Sequence, residues 1–582
     1  MTELDTNIQT RVDQWLTNPS YSEESKQEIQ SLLEHKNYTE LRDRFFQNME
    51  FGTGGIRGKV GAGLNRMNIY NIRLATQGVC NYASKYNFSN PSNTIAICYD
   101  SRNTSLEFAM ETAQVMLGNG YKVLMFTYPS ATPLLSFVIR KMNCMFGVNI
   151  TASHNPPEYN GYKVFWDDGA QVVSPVDQGV IDEVSSLSGQ EEVKSDDFQS
   201  ALSQGQAQYV TDEVLEEYYK ELSKSLIGSL STNSKINAVY SAFHGVGYKF
   251  ISRFAELRNL KGYRYTQNQQ APDGNFPTLL SPNPENPSAF KESIAIADEQ
   301  TDIILATDPD ADRTGCMCRD RNGQFVFLTG NQIGILLLES ILEHHKKEKT
   351  LSPDAYVVTT IVSTPALEKV AARYKVETKY CYTGFKNIAK VMSDQEKSGN
   401  NNFLFGCEES HGYLISDILR DKDGISAAIA LSEYAASLKE NGLNLLDKLD
   451  SILASVGYYE DGIMNYVFDG EAGKNKILCL METLRTSPPD SLCDLELVSK
   501  YDYKSLEIED LREGTKSKIE GFVPDNTLVM QYDNDLRIMA RPSGTEPKIK
   551  FYINLSTPDK QSSVKRMENI KQKLDNWISS NT

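Results

Sequence analysis

Short apolar runs alternate with amphipathic helical patterns over much of the chain. Apolar runs at 94–99, 121–126 and 144–150 are separated by helical patterns at 107–117 and 133–141. Strands that alternate with helices of this length are typical of an α/β layer built on a mainly parallel sheet. The pattern therefore predicts a mixed α/β fold for this part of the chain.

The same alternation restarts twice, and the two ends of the chain differ from it. Later strands are predicted at 235–242, 302–306, 356–361, 377–382 and 403–405. Near the C-terminus, strands at 527–532, 536–540 and 549–553 precede a helix over 563–578. We predict a helical extension over 1–45, three similar mixed α/β domains over 46–215, 216–325 and 326–450, and an α+β domain over 451–582.

The length of the chain indicates several domains, and its net charge indicates which kinds of partner to expect. A chain of 582 residues is too long for one core, and about 150 residues per domain suggests roughly four domains. The net charge of −18 argues against nucleic-acid and membrane partners, so an anionic ligand needs local cations. No apolar run approaches the ~18 residues of a membrane span, and the N-terminus lacks a signal pattern. We expect a cytoplasmic protein, and its oligomeric state is left open.

The first candidate loop follows the predicted strand 144–150. It reads Thr-Ala-Ser-His-Asn-Pro-Pro over 151–157, and its two prolines prevent an immediate helix. Ser153 and His154 are therefore expected on an exposed turn. A serine hydroxyl is a poor nucleophile unless a base or a metal activates it. The alternative is a plain turn with local hydrogen bonds.

The second loop follows the strand 302–306 and carries Asp308, Asp310, Asp312 and Arg313. Three alternating carboxylates repel one another unless a cation neutralises them, and an all-oxygen set suits Mg²⁺. The loop lacks the glycine and the distant glutamate of an EF-hand. Arg313 is then available to a phosphate. A solvated acidic turn is the alternative.

Two further polar loops complete the set. Residues 406–412 follow the strand 403–405, and their Glu408 and Ser410 suit neighbouring sugar hydroxyls. The segment 541–548 combines Arg541 with hydroxyls and a glycine, which makes a plausible phosphate cradle. It lacks the spacing of a nucleotide-binding P-loop. Either loop taken alone is equally compatible with an ordinary turn.

The four loops together indicate one chemistry. A serine able to carry phosphate, a metal loop, a polyol-binding loop and a separate phosphate cradle lie in four different predicted domains. Phosphoryl transfer on a polyhydroxylated phosphate ester requires each of these parts.

From about Phe51 to the C-terminal region, these motifs resemble the α-D-phosphohexomutase superfamily, in its phosphoglucomutase and phosphopentomutase branch. The resemblance implies three mixed α/β domains and a C-terminal, TATA-binding-protein-like α+β domain around a central cleft. It also implies Mg²⁺ held by Asp308, Asp310, Asp312 and a phosphate oxygen on Ser153.

The resemblance carries over further site residues one by one. Arg57 matches an arginine beside the phosphoserine, and Lys163 and Lys422 match lysines at the reacting centre. His244 matches a structural turn. The substrate-binding positions implied are Thr53, Arg57, Ser153, Lys163, Asp312, Arg313, Thr383, Glu408, Ser410, Lys422, Arg541, Ser543, Gly544 and Thr545. Where many relatives have a glycine, this chain has Cys407, and His411 either touches the sugar or packs in its loop.

The activity implied is the interconversion of glucose 1-phosphate and glucose 6-phosphate. It proceeds through a phosphoserine enzyme and a glucose 1,6-bisphosphate intermediate, which also primes the enzyme. A base is needed, either Lys163 or Lys422 or, less favoured, His154, and a lysine base needs neighbouring cations that lower its pKa. The alternatives are a phosphopentomutase, a phosphomannomutase, a glucose-1,6-bisphosphate synthase, a phosphatase or an inactive scaffold.

Overall fold

The computed structural model describes residues 4–52, 54–88, 92–226, 235–468, 470–543 and 548–581. The chain divides into two compact units. The first consists of Met1–Ile333 and Gly384–Asn444, and the second of Gly334–Thr383 and Leu445–Thr582. Within the described residues, none of the helices has both the length and the apolar character needed to span a membrane.

Three helices begin the first unit: α1 (Thr6–Thr17), α2 (Glu23–Glu34) and α3 (Tyr38–Phe45). Asp5 and Ser22 cap the first two, because each side chain accepts a backbone N–H of the first turn. Trp15 stacks on Tyr21 at 3.8 Å and meets Tyr70 edge-on at 5.7 Å. This small aromatic core joins the helices to the next segment of the chain.

The first sheet contains β1 (Gly55–Lys59), β2 (Thr94–Tyr99), β3 (Lys122–Met125), β4 (Phe146–Ile150), β5 (Tyr159–Phe165) and β6 (Ala207–Tyr209), in the order β1-β5-β4-β2-β3-β6. Strand β2 runs parallel to β3 and β4, whereas β5 is antiparallel to both β4 and β1. Its helices are α4 (Ile69–Lys85), α5 (Ser105–Gly118), α6 (Thr132–Lys141), α7 (Val176–Ser186), α8 (Phe198–Ser203) and α9 (Asp212–Ser225). Strand β4 is buried along its whole length, as expected for an interior strand covered on both faces.

The second sheet contains β7 (Lys235–Ser241), β8 (Lys261–Tyr265), β9 (Ile303–Thr307), β10 (Thr314–Arg319) and β11 (Phe325–Leu328), in the order β11-β10-β9-β7-β8. Helices α10 (Gly247–Leu257) and α11 (Lys291–Ile296) belong to the same part of the chain. The first unit also contains α14 (Phe385–Lys397), the antiparallel pair β14 (Phe403–Glu408) and β15 (Gly412–Leu414), and α15 (Gly424–Glu440).

The second unit combines an α/β segment with a β-rich C-terminal part. Its parallel strands β12 (Tyr356–Thr360) and β13 (Glu377–Cys381) are accompanied by α12 (Gly330–Glu348), α13 (Ala366–Arg373) and α16 (Leu445–Val456). The C-terminal sheet contains β16 (Tyr458–Val467), β17 (Ser491–Leu492), β18 (Leu495–Asp502), β19 (Glu507–Asp510), β20 (Thr515–Lys518), β21 (Leu528–Tyr532), β22 (Arg537–Pro542) and β23 (Lys548–Thr557). Helices α17 (Gly470–Thr486) and α18 (Lys560–Ser580) complete it. Ile361 and Val362 pack with Val529 and Met539 of this sheet.

The mixed α/β sheets and the β-rich C-terminal part confirm the predicted fold class. Two expectations about local structure were wrong. Glu408 is not in a loop but is the last residue of β14, which continues beyond 405. Arg541 lies in strand β22 rather than in a turn. In both places the ladder continues through polar residues that the apolar pattern does not mark.

Candidate active site

Ser153 lies in the turn between β4 and β5, at the carboxyl edge of the first sheet. Its backbone has a φ of +50°, which is uncommon for a residue with a side chain. The predicted exposed turn is wrong, because Ser153 is only 2% exposed. Its hydroxyl donates to Asp308 Oδ2 at 2.5 Å, which brings the first and second candidate loops together.

The turn that contains Ser153 is bound by Arg102, which lies three residues after the end of β2. Arg102 donates to the carbonyl oxygens of Ser153 and Asn155, both at 2.6 Å. It also donates to the carbonyls of Pro156 and Tyr159, both at 2.8 Å. One buried guanidinium therefore binds four carbonyl groups of this segment.

Asp308, Asp310 and Asp312 are brought together by the turn that follows β9. Their ligand atoms lie within 4.8 Å of one another, and all three residues are buried. Among the described residues, Asp310 Oδ1 has no hydrogen-bond partner although it is buried. A buried, unpaired carboxylate oxygen is costly, and three convergent carboxylates match a hard divalent cation such as Mg²⁺. The three residues fit the predicted metal site.

The first two aspartates of this triad differ in their surroundings. Burial, followed by the charges of Asp312 and Asp310, raises the pKa of Asp308 well above its usual range. Burial also opposes ionisation of Asp310, but the Lys163 and Lys422 charges lower the pKa of Asp310 well below its usual range. Lys163 Nζ lies 3.1 Å from Asp310 Oδ2, so Asp310 has the tighter cation partner.

Lys163 and Lys422 both contact the triad. Lys163 Nζ is 3.7 Å from Asp312 Oδ2, and Lys422 Nζ is 2.8 Å from the same oxygen. Lys422 also lies 3.2 Å from Asp421 Oδ1. Burial alone would lower the pKa of Lys422, but the carboxylates of Asp312 and Asp421 raise it. These carboxylates outweigh the nearby Arg313 charge, so Lys422 does not have the lowered pKa expected of a lysine base.

Arg57, His154 and Arg313 surround the serine turn. Arg57 donates to Asn155 Oδ1 at 3.1 Å from the exposed side of the turn. His154 Nδ1 lies 3.3 Å from Ser153 Oγ. Burial, together with the Arg313 and Arg57 charges, holds the pKa of His154 well below its usual range. The neutral form of the imidazole is therefore favoured at His154.

Arg313 connects the acidic turn to the predicted sugar loop. Its guanidinium pairs with Glu285 and donates to the Ser410 carbonyl at 3.1 Å. Glu408 Oε1 accepts the Gly384 N–H at 2.6 Å, and burial raises the pKa of Glu408. Ser410 is thus attached through Arg313 to the turn that carries the aspartates, and Glu408 is bonded to Gly384.

His411 belongs to the packing of this hairpin. Its Nδ1 lies 3.2 Å from the Thr314 carbonyl, and its ring is 5.7 Å from that of Phe327. Burial lowers the pKa of His411 to about 4. These contacts support the packing alternative over a sugar contact. His244 also has a structural contact, because its Nε2 lies 2.9 Å from Thr278 Oγ1.

The other predicted site residues that the structure describes belong to the second unit. Thr383 follows β13, Arg541 lies in β22 opposite Lys550, and the Ser543 N–H donates to the Lys548 carbonyl at 2.7 Å, all in the second unit. The positions Thr53, Gly544 and Thr545 fall outside the described residues. Their substrate-binding roles stay predictions.

Several residues that build the site were not singled out from the sequence. Asp100 accepts from Thr151 Oγ1 at 2.6 Å, and Arg102 binds the serine turn. Thr132 Oγ1 donates to Asp310 Oδ2 at 2.8 Å. Asp100 and Arg102 directly follow the strand 94–99, so the strand-end rule that marked the other loops would also have found them. Glu285 comes from a Pro- and Asn-rich loop that carries no such signal.

Comparison with known families places these loops in a common framework. Three models match the chain, described as phosphoglucomutase/phosphomannomutase α/β/α domains I, II and III. They cover residues 48–191, 216–323 and 329–453, respectively. The chain is 34% identical over 571 residues to a phosphoglucomutase of Staphylococcus haemolyticus, which covers 98% of this chain and 100% of the relative. It is 32% identical to a phosphoglucomutase of Staphylococcus saprophyticus, with coverage of 89% and 93%.

Solved structures share the fold at lower sequence identity. A phosphomannomutase from Thermus thermophilus aligns with a TM-score of 0.68 at 18% identity, covering 92% of this chain and 99% of that one. The phosphoglucomutase parafusin of Paramecium, in an open form, aligns with a TM-score of 0.66 at 18% identity, covering 92% and 96%. Three family models match most of the chain, and one relative is 34% identical over its full length, so the chain belongs to the phosphoglucomutase/phosphomannomutase family of the α-D-phosphohexomutases.

Proposed function

We propose that this chain is a phosphoglucomutase that interconverts glucose 1-phosphate and glucose 6-phosphate through phosphorylated Ser153. The observation that carries the proposal is the 2.5 Å contact between Ser153 Oγ and Asp308, inside a buried triad of carboxylates. The curated relatives named above are phosphoglucomutases, which favours glucose over pentose or mannose substrates.

The metal is assigned to the triad. The family is metal-dependent, and we propose Mg²⁺ held by Asp308, Asp310 and Asp312, with the phosphate of Ser153 as a further ligand. When bound, Mg²⁺ supplies charge stabilisation for the transferring phosphoryl group. An N-acetylphosphoglucosamine mutase of Aspergillus fumigatus, of similar fold with a TM-score of 0.51, was solved with GlcNAc-6P and magnesium.

The protein groups around Ser153 account for the transfer. The P–O bond to Ser153 Oγ breaks as a new P–O bond forms to the free sugar hydroxyl. The proton of that hydroxyl passes by way of a base to the seryl oxygen, so Ser153 ends as a free hydroxyl. Arg57 and Arg313 are the cations that stabilise charge on the phosphoryl oxygens.

The return transfer completes the cycle. Glucose 1,6-bisphosphate then turns over in the site and returns its other phosphate to Ser153, so it serves both as intermediate and as primer. Glu408 and Ser410 bind the sugar hydroxyls in both orientations. Arg541 and Ser543, with Thr545, hold the phosphate that is not reacting.

One experiment tests both the mechanism and the sugar. Peptide mass spectrometry of the purified protein is expected to find one phosphoryl group on Ser153, removed by an excess of glucose 1-phosphate. A coupled assay then compares glucose 1-phosphate, ribose 1-phosphate and mannose 1-phosphate at matched concentrations. A stable phosphate on another residue, with full activity in Ser153→Ala, would refute the mechanism. A higher kcat/KM for ribose or mannose would refute only the choice of glucose.

A further inference from the structure

Arg102 occupies an unusual position beneath the serine turn. It is 3% exposed, and its guanidinium donates to the carbonyl oxygens of Ser153, Asn155, Pro156 and Tyr159. Its Cζ lies 5.2 Å from the centre of the Phe276 ring, and its Nε lies 3.3 Å from Asp100 Oδ2. The planar fork of an arginine provides five donors in a fixed geometry, which suits several carbonyls at once.

The serine turn depends on donors from outside its own segment. Its internal backbone bonds include Asn155 N–H to the Ala152 carbonyl and Tyr159 N–H to the Pro156 carbonyl, both at 3.1 Å. Ser153 itself has a left-handed backbone conformation, which costs about 1 kcal/mol or more for a residue with a Cβ. The buried Ser153 carbonyl would add to this cost if it had no donor. Arg102 therefore supplies bonds that hold Ser153 in this conformation.

Asp100, which also follows β2, provides a second set of bonds to the serine turn. Asp100 Oδ2 accepts the hydroxyl hydrogen of Thr151 at 2.6 Å, and Thr151 Oγ1 in turn accepts the Ser153 N–H at 2.8 Å. Asp100 Oδ1 accepts from Ser105 at 2.6 Å. Asp100 and Arg102, which directly follow β2, thus both bind the serine turn.

The position of the charge also matters for the reaction. Four carbonyl oxygens of the turn direct the negative ends of their dipoles at the Arg102 guanidinium. Arg102 neutralises these dipoles on the buried side of the turn. The Ser153 hydroxyl itself donates to Asp308 Oδ2.

We propose that Arg102 is a positioning residue for phosphoryl transfer, acting through the four carbonyls of the serine turn; this rests on the proposed role of Ser153. In this role Arg102 acts through the backbone of the turn and not by direct contact with the transferred group. Its effect is on the orientation of Ser153, so its loss lowers kcat and the phosphorylation of Ser153 more than it changes KM. Lysine cannot replace it, because an ammonium group has three donors and no planar fork.

The test compares Arg102→Lys and Arg102→Ala with the wild type. Misplacement of a reacting group by about 1 Å costs on the order of 100-fold, so we expect kcat of Arg102→Lys to fall by about that factor while KM changes less than about threefold. Intact mass after incubation with glucose 1,6-bisphosphate is expected to show slower phosphorylation of Ser153. Guanidinium ion at tens of millimolar is expected to raise kcat of Arg102→Ala, whereas methylammonium does not.

Controls separate this role from folding and from the proposed function. Arg73 pairs with Glu111 at 2.6 Å in the same part of the first unit, so Arg73→Lys is the matched control and keeps wild-type kcat. If Arg102→Ala does not fold, kcat and Ser153 phosphorylation of Arg102→Lys alone test the proposal. Wild-type kcat and phosphorylation in Arg102→Lys, while Ser153 is phosphorylated in the wild type, would overturn the role of Arg102. Absence of phosphate on Ser153 in the wild type would instead overturn the proposed function.

Discussion

The Ser153 hydroxyl donates to Asp308 Oδ2 across 2.5 Å, although the two residues are 155 positions apart in the sequence. Asp308 Oδ1 meanwhile accepts the backbone N–H groups of Asp312 and Arg313 at 3.1 and 3.0 Å. Asp308 therefore stabilises its own turn through Oδ1 and accepts the hydrogen bond from Ser153 through Oδ2. This division of roles distinguishes Asp308 from the other members of the triad.

Asp308→Asn and Asp310→Asn should differ in stability when EDTA is present. An asparagine at 308 keeps the Oδ1 acceptor and removes a charge that burial and two like charges disfavour, so its unfolding free energy should stay within about 1 kcal/mol of the wild type. Asp310→Asn removes the nearer of the two carboxylates that pair with Lys163, which should cost about 3 kcal/mol. Urea unfolding measures both. Equal losses in the two variants would contradict this assignment.

Both variants should also lose the response of activity to Mg²⁺. Removal of one of three carboxylates weakens a divalent site, so kcat should fall in each even at high Mg²⁺. The wild type should lose activity in EDTA and regain it when Mg²⁺ is added in excess. Full wild-type activity after thorough chelation would refute the metal role of the triad.

Gly245 allows the metal turn to approach its neighbour closely. A Cβ at this position would lie 2.3 Å from Pro309 Cα and 2.6 Å from the Pro309 carbonyl oxygen, which is backbone that must shift. We expect Gly245→Ala to lose about 1–3 kcal/mol of stability and to need more Mg²⁺ for half-maximal activity. A Mg²⁺ titration of activity and a thermal melt check this. An unchanged Mg²⁺ requirement would show that the turn tolerates the shift.

His411 should make stability depend on pH. Its pKa is about 4 in the folded protein, against about 6.5 when unfolded. Between these values the unfolded chain binds a proton that the native state does not, so stability falls as the pH drops from 6.5 to 4. The loss approaches roughly 3 kcal/mol at the acid end.

Replacement of His411 isolates this contribution. Asparagine tolerates the φ of +62° at this position, so His411→Asn should fold and lose less stability than the wild type between pH 6.5 and 4. The exposed His35 supplies the control variant His35→Asn. Urea midpoints measured across this range give the comparison. Parallel curves for wild type and His411→Asn would show that His411 does not contribute.

The strand-end rule explains which parts of the site could be predicted from the sequence. Ser153 and the three aspartates directly follow apolar strands, and the carboxyl ends of such strands gather ligands. The fold class followed from the same alternation. Arg57 and Lys163 could be assigned only by family resemblance, because β1 and β5 contain glycine and polar residues and lack the apolar pattern of a strand.

Other features depend on contacts between distant segments. Glu285 pairs with Arg313 across 28 positions, and Thr132 bonds Asp310 across 178 positions. No local pattern specifies such pairs, since they follow from how the sheets pack. The burial of Ser153 has the same origin, because its partners Arg102 and Asp308 come from the segment after β2 and from the turn after β9. The sequence predicts the turn at Ser153, but the burial of Ser153 depends on packing against distant segments.

Arg541 and Glu408 are proposed to bind different ends of the substrate. Arg541 is proposed to hold the phosphate that is not reacting, so Arg541→Ala should weaken glucose 1-phosphate and glucose 6-phosphate alike. Loss of a charge-assisted bond to phosphate costs roughly 2–3 kcal/mol, or about 30- to 150-fold in kcat/KM. Arg537 lies in the same strand β22, and Arg537→Ala is the control for removal of one positive charge.

Glu408 is proposed to bind sugar hydroxyls, so Glu408→Ala should change the ratio of glucose to ribose substrates more than it changes phosphate affinity. Ribose 1-phosphate lacks one hydroxyl-bearing carbon and therefore depends less on this residue. The buried Glu408 carboxylate is already oriented by the Gly384 N–H at 2.6 Å, so truncation removes a preorganised acceptor. We would measure kcat/KM for both sugars in both variants. A changed sugar preference in Arg541→Ala, with none in Glu408→Ala, would mean that the two assignments are reversed.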